Sequence, residues 1–225
     1  PHRSKVTMSS HLDLEEQEQI AELKHFWNRW GNLISWLLIA IMGGFAAWNG
    51  WQYWQRQQAI EAAAMKDAVD QAVATGDWAL ADRAAQDLKD QFPKTHAASA
   101  AQLMAAKWSM DQHKVDQALA HLRWVASHSP DPGQVSLARL RLAGVLLDQG
   151  KIDEARAALT EQPATPGFES LFEDRLGDIA LKANQSKEAV AHYTKAHQHP
   201  QIPDSLKQVV SVKLAALGVD ADTLN

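Results

Sequence analysis

Residues 168–200, FESLFEDRLGDIALKANQSKEAVAHYTKAHQHP, decide the fold. The run has a helical period up to residue 183, with Leu176-Gly177 at its centre. Asn184-Gln185-Ser186 interrupts it, and a second periodic run carries Ala189, Tyr193 and Ala196. Pro200 closes that run, because proline lacks the N–H and the free φ a continuing helix needs. The stretch reads as two helices, 168–183 and 187–198, joined by a tight turn. Ala189 stands early in the second helix, where only a small side chain lets the pair cross closely.

The same hairpin recurs upstream. Taking Ala81, Ala118, Ala155 and Ala189 as equivalent points, the intervals are 37, 37 and 34 residues. Four residues further on stand Ala85, Leu122, Leu159 and Tyr193, and seven further on Leu88, Val125, Gln162 and Ala196. A packing stripe thus runs down each second helix, with Gln162 its one exception. Turns within the pairs fall at Thr75-Gly76-Asp77, Gln112-His113-Lys114, Gln149-Gly150-Lys151 and Asn184-Gln185-Ser186; two contain glycine, which readily takes the left-handed conformation that ends a helix. Prolines 93, 130 and 132, 163 and 166, and 200 and 203 punctuate the pairs. The predicted helices are 57–75, 77–91, 95–112, 115–128, 133–149, 152–161, 168–183, 187–198 and 205–217. The last caps an array that would otherwise end on an apolar face. The three extra residues in the early intervals predict longer turns there.

This pattern resembles the tetratricopeptide repeat, whose usual period is 34. The fourth unit fits best; the others replace Leu176-Gly177 with Ala68-Val69, Ala105-Ala106 and Leu142-Ala143. The fold expected is all-α: one N-terminal transmembrane helix, then a tetratricopeptide-like α-solenoid of about four helix pairs with a capping helix.

The transmembrane helix is residues 30–55, WGNLISWLLIAIMGGFAAWNGWQYWQ, a run without an ionisable side chain between Arg29 and Arg56. As a helix it is about 39 Å long, enough to cross a hydrocarbon core of about 30 Å. Trp27, Trp30 and Trp36 band one end and Trp48, Trp51, Tyr53 and Trp54 the other, leaving Leu37 to Phe45 between the two headgroup layers. A cleaved signal peptide fits less well, because the preceding segment is long and acidic and aromatic residues follow the small pair Gly44 and Ala46. Ala40, Gly43, Gly44 and Ala47 form a smooth face on which a second membrane helix can pack, although small residues are common in any membrane helix. Lys24 and Arg29 on one side balance Arg56 and Lys66 on the other, so charge alone does not orient the span.

The organisation expected is 1–7 as a foreign remnant or an upstream extension before Met8, 8–29 as a polar tail, 30–55 as the membrane helix and 56–225 as the repeat domain. In the tail, Ser10 and Asp13 have capping-box spacing. No proline or glycine lies between Gly50 and Gly76, so one helix is predicted to run from the span into the first repeat.

Composition removes several function classes. With no cysteine, there is no disulfide scaffold, thiolate metal site or lipidated cysteine. Residues 56–225 carry more acidic than basic side chains and no basic stripe, which argues against nucleic acid. Ten histidines invite a metal, yet none forms the i, i+4 pair of a zinc-protease helix. The sequence has no nucleophile elbow, phosphate loop or dinucleotide fingerprint. No enzyme activity, cofactor or metal is expected.

In such an array the first helix of each pair lines the inner surface. Inward positions are Leu103, Lys107 and Met110, then Leu137, Leu140 and Leu147, then Leu171, Asp174, Asp178 and Leu181. Leucine and methionine suit loose capture of extended or unfolded segments, each buried side chain contributing roughly 1.5–3 kcal/mol. Some of these leucines can equally be packing against the second helices. The asparagine and lysine positions of a carboxylate clamp are not matched.

From Met8 to Asn225 the layout resembles the ancillary subunit family of the bacterial SecYEG translocon, the YfgM type. The likeness lies in a short polar tail, the tryptophan-flanked span SWLLIAIMGGFAAWNGWQYWQ, the following AIEAAAMKDAV and a degenerate repeat domain. It implies a single-pass protein of the bacterial inner membrane, with its N-terminus cytoplasmic and its C-terminal domain periplasmic. It implies as partners the lipid bilayer, the SecYEG translocon, the periplasmic chaperone PpiD and emerging or unfolded exported polypeptides. A scaffold for another envelope complex, serving outer-membrane assembly or cell division, is the alternative.

Overall fold

The computed structural model describes the backbone of residues 12–223, and side chains from residue 24 onward except 222. The expectations for residues 1–7, Met8 and the Ser10 capping box lie outside the described residues. The chain divides into two compact units, Pro1–Arg56 and Gln57–Asn225.

Helix α1, Leu12–Thr75, runs through both. Within the first unit it is exposed on nearly every side: Trp36, Leu38, Ile41, Met42 and Phe45 are all more than half accessible. A soluble protein does not leave such a sleeve uncovered, and a hydrocarbon solvent asks for one. Among the described residues this is the one helix long and apolar enough to cross a membrane.

In the second unit the end of α1 pairs with α2 (Trp78–Gln91). Then α3 (His96–Asp111) pairs with α4 (Val115–His128), α5 (Pro132–Asp148) with α6 (Ile152–Thr160), and α7 (Glu169–Lys182) with α8 (Ser186–His197). Helix α9 (Asp204–Ala216) and a short 3₁₀ turn, Ala221–Thr223, end the array. No strand occurs among the described residues.

The repeat is visible in the backbone. Gly76, His113, Gly150 and Asn184 are the residues with left-handed φ inside the four hairpins, at 73°, 60°, 74° and 61°. Glycine takes that conformation at no steric cost; His113 and Asn184 carry a side chain there. The four equivalent alanines, Ala81, Ala118, Ala155 and Ala189, are each 0% exposed, so each second helix crosses its partner at a methyl group.

Three apolar clusters follow one another along the unit. Ala62, Val69, Ala81, Ala85 and Leu88 pack with Ala101, Ala105 and Trp108. Leu119, Leu122 and Val125 pack with Leu142, Leu146, Leu159 and Phe172. Tyr193 and Ala196 pack with Val210 and Leu214 of α9, which covers the last pair.

The three extra residues of the early repeats do not lengthen the turns. They lengthen the first helices: α3 has 16 residues and α5 17, against 14 in α7. Only residues 129–131 separate α4 from α5, because Asp131 accepts from the N–H groups of Gly133 and Gln134 and Pro132 starts the helix at once. The one long connection is 161–168, after a second helix of only nine residues. Gln162, the exception in the stripe, is exposed beyond the end of α6. Arg139 fills that role, its buried guanidinium donating to the carbonyls of Ala158, Leu159, Gln162 and Pro163. Phe172 covers its other face, with the ring centre 5.0 Å from Cζ. Burial depresses the Arg139 pKa, and four carbonyl acceptors offset the loss of water.

Candidate functional site

The first helices of successive pairs adjoin one another, α3 on α5 and α5 on α7. Their inward positions fall into three groups. Leu103 and Leu147 are buried in the central cluster, and Leu137 and Leu140 are half-buried against it. Met110 and Leu171 are half-buried, while Lys107 and Leu181 are exposed, Leu181 by 42%. A lining of half-covered aliphatic groups on a packed floor results.

Asp174 and Asp178, one turn apart on α7, are engaged from within. Lys213 of α9 reaches across and donates to Asp174 Oδ1 at 2.7 Å and Asp178 Oδ1 at 2.6 Å. The Tyr193 hydroxyl donates to the same Asp178 oxygen at 2.8 Å, and the Lys213 ammonium lies 5.2 Å from the centre of the Tyr193 ring. Burial pushes the Asp174 carboxyl upward, opposed by the hydrogen bond and charge of Lys213. Burial and the bond to Asp178 push the Tyr193 hydroxyl upward as well. The two aspartates therefore fasten the capping helix to the last pair.

Tyr193 owes its place to Gly177. A Cβ on Gly177 would lie 2.4 Å from the Tyr193 ring, so glycine lets α7 and α8 approach through that ring. Another inter-repeat joint is polar: fully buried Gln102 of α3 donates to Ala85 O of α2 at 3.0 Å, and its Oε1 meets His121 Nδ1 of α4 at 2.6 Å.

In the first unit, Ala40, Gly43, Gly44 and Ala47 are exposed, and a Cβ built on either glycine meets nothing within 4 Å. Among the described residues, no group of three His, Asp or Glu side chains is placed to hold a metal ion.

Three residues of the lining escaped the sequence. Gly144 occupies the position of Lys107 and Asp178, leaving a gap in the row on α5, and Arg175 of α7 lies over that gap. Arg141 stands one repeat before Arg175, 34 residues away. That shared interval was the available signal.

A ladder of helix pairs crossing at alanines, with left-handed turns at a repeat interval, defines a tetratricopeptide-class interaction domain. The chain matches the family profile described as "Tetratricopeptide repeat-like domain" over residues 24–219. It is 33% identical over 213 residues to a Neisseria gonorrhoeae protein named "Ancillary SecYEG translocon subunit", covering 93% of this chain and 100% of that one. Proteins of the same name from Haemophilus influenzae and Escherichia coli are 28% and 23% identical, covering 82% and 91% of this chain and 90% and 97% of theirs. No solved structure matches. The chain belongs to the ancillary SecYEG translocon subunit family.

Proposed function

We propose that this protein is a non-catalytic, membrane-anchored companion of the SecYEG translocon that assists newly exported polypeptides. The observation that carries the proposal is the likeness to the gonococcal translocon subunit, which extends over anchor and repeats alike at 93% of the chain. Residues 30–55 span the inner membrane, residues 8–29 form the cytoplasmic tail, and the repeat domain from residue 56 lies in the periplasm. The face of Ala40, Gly43, Gly44 and Ala47 seats the anchor against a neighbouring membrane helix.

The repeat domain acts as a receptor held at the exit. Tethering raises its effective concentration near emerging chains, so weak and sequence-tolerant contacts suffice. Met110, Leu137, Leu140, Leu171 and Leu181, with Lys107 among them, supply those contacts. Leu103 and Leu147 form the floor beneath, and Asp174 and Asp178 hold the end of the groove through Lys213. The periplasmic chaperone PpiD works on the same clients from the same complex. The absence of a catalytic constellation in the sequence and the family name both support binding as the mode of action.

Affinity purification of the full chain from membranes in mild detergent tests this. SecYEG subunits and PpiD should dominate the copurified proteins. Recovery of outer-membrane assembly or division proteins without SecYEG would replace the proposal with an envelope scaffold.

A further inference from the structure

Arg175 of α7 stands at the gap in the groove lining. Its guanidinium lies over the backbone of Gly144, where an added Cβ would be 3.7 Å from Cζ and Nη1. At the three equivalent positions stand Asp70, Lys107 and Asp178, so only at Gly144 does the row on the first helices lack a side chain. The Nε of Arg175 is buried and meets no acceptor among the described residues. Its ion-pair partner, Asp178 Oδ2, lies 3.6 Å from Nη1, close enough to balance charge but beyond hydrogen-bond range. The other oxygen of Asp178 is held by Lys213 and Tyr193. One repeat earlier, exposed Arg141 forms no ion pair with the described residues.

A half-exposed guanidinium over the Gly144 gap whose Nη groups make no hydrogen bond to the described residues, on the helix that carries half-buried Leu171, matches one kind of group. Its planar fork fits a carboxylate in two parallel hydrogen bonds. The domain as a whole is acidic, so it does not draw acidic chains in from a distance; the attraction has to come from these local cations.

We infer, building on the groove proposed above, that it takes extended aliphatic segments carrying an aspartate or glutamate side chain, with Arg175 as the main receptor for that carboxylate and Arg141 as the second. Leu137, Leu140 and Leu171 take the flanking aliphatic groups. The specificity is then for an internal acidic side chain rather than for a chain end.

The full chain in lipid nanodiscs, titrated with fluorescent acetylated and amidated nonapeptides of alternating leucine and serine with a central Glu, Gln or Lys, tests this. The Glu peptide should bind about tenfold tighter than the Gln peptide, and Lys weakest, as charge-assisted bonds require. Added salt should shrink the preference. Arg175→Gln should bring Glu and Gln within about twofold of each other, and Arg141→Gln should remove about half of the preference in logarithmic terms. Arg141 is exposed, so its variant keeps the test valid should Arg175→Gln fold poorly. Equal binding of Glu and Gln peptides by the unaltered chain overturns the carboxylate receptor and leaves the groove standing. Binding of none of the peptides overturns both. A Glu preference intact in the two variants also overturns the inference.

Discussion

Gly177→Ala tests the packing logic of the repeats at its tightest point. The new methyl would lie 2.4 Å from Tyr193 Cε1 and 2.5 Å from Cδ1, so the ring has to move. Tyr193 is 1% exposed, and its hydroxyl is fixed on Asp178. Overpacking of this kind costs about 1–3 kcal/mol. Displacing the hydroxyl from a charged acceptor costs about 1.5–3 kcal/mol more, and the better helix propensity of alanine returns about 1 kcal/mol. The net is a loss of about 1.5–5 kcal/mol, which lowers the unfolding midpoint by roughly 3–20 °C for a domain of this size. Gly144→Ala is the control: its methyl meets Arg175 at 3.7 Å, an ordinary contact, so the propensity term of about 1 kcal/mol should raise the midpoint by a few degrees. Far-UV circular dichroism of the full chain in detergent follows the cooperative loss of helicity. Tyr193→Leu in the Gly177→Ala background makes room for the methyl, so the double variant should lose less than the sum of the singles. An unchanged midpoint for Gly177→Ala, or additive losses in the double variant, would show that the Tyr193 ring does not set the spacing of α7 and α8.

Further outcomes follow from the polar joints. His121 has its pKa lowered by burial, with Asp82 opposing and Lys89 adding to the effect. The unfolded chain therefore takes up a proton near pH 6.5 that the folded chain does not, and stability should fall as pH drops below that value; His121→Gln should flatten this slope in denaturant titrations at several pH values. Arg139→Met leaves four carbonyls without their donor and should cost about 3 kcal/mol, with hydrogen exchange fastest at the end of α6. Lys213→Met leaves Asp174 without its ion-pair partner and Asp178 with Arg175 alone, and should cost about 2–3 kcal/mol at neutral pH. Because the Asp174 pKa is already raised, the variant should regain stability as pH falls and the carboxyl protonates; a loss independent of pH would contradict this assignment.

Most of the fold was legible because it is periodic and local. The crossing alanines and the stripe below them are set by spacing alone, and each of the four alanines is buried as that spacing demands. Left-handed turns at His113 and Asn184 were placed by position but not by residue type, since neither carries the glycine that marks Gly76 and Gly150. The length of the turns was misjudged because extra residues can lengthen a helix as easily as a loop, and only the cap at Asp131 shows which occurs. The groove lining was legible as a set of positions, not as a set of partners. Lys213 lies 39 residues from Asp174 and 35 from Asp178, a separation no local pattern spans. Arg175 is marked out by the gap at Gly144 beside it, a contact between helices that the local pattern does not carry.

In the proposed function, emerging chains pass through the first-helix groove. A photo-crosslinker at Leu140, in the full chain and in membranes carrying an exported polypeptide arrested in SecYEG, measures this directly, with exposed Lys187 on α8 as the reference position. Adducts should form between the arrested chain and Leu140, with few from Lys187. Equal labelling from both positions, or adducts from Lys187 alone, would contradict that route.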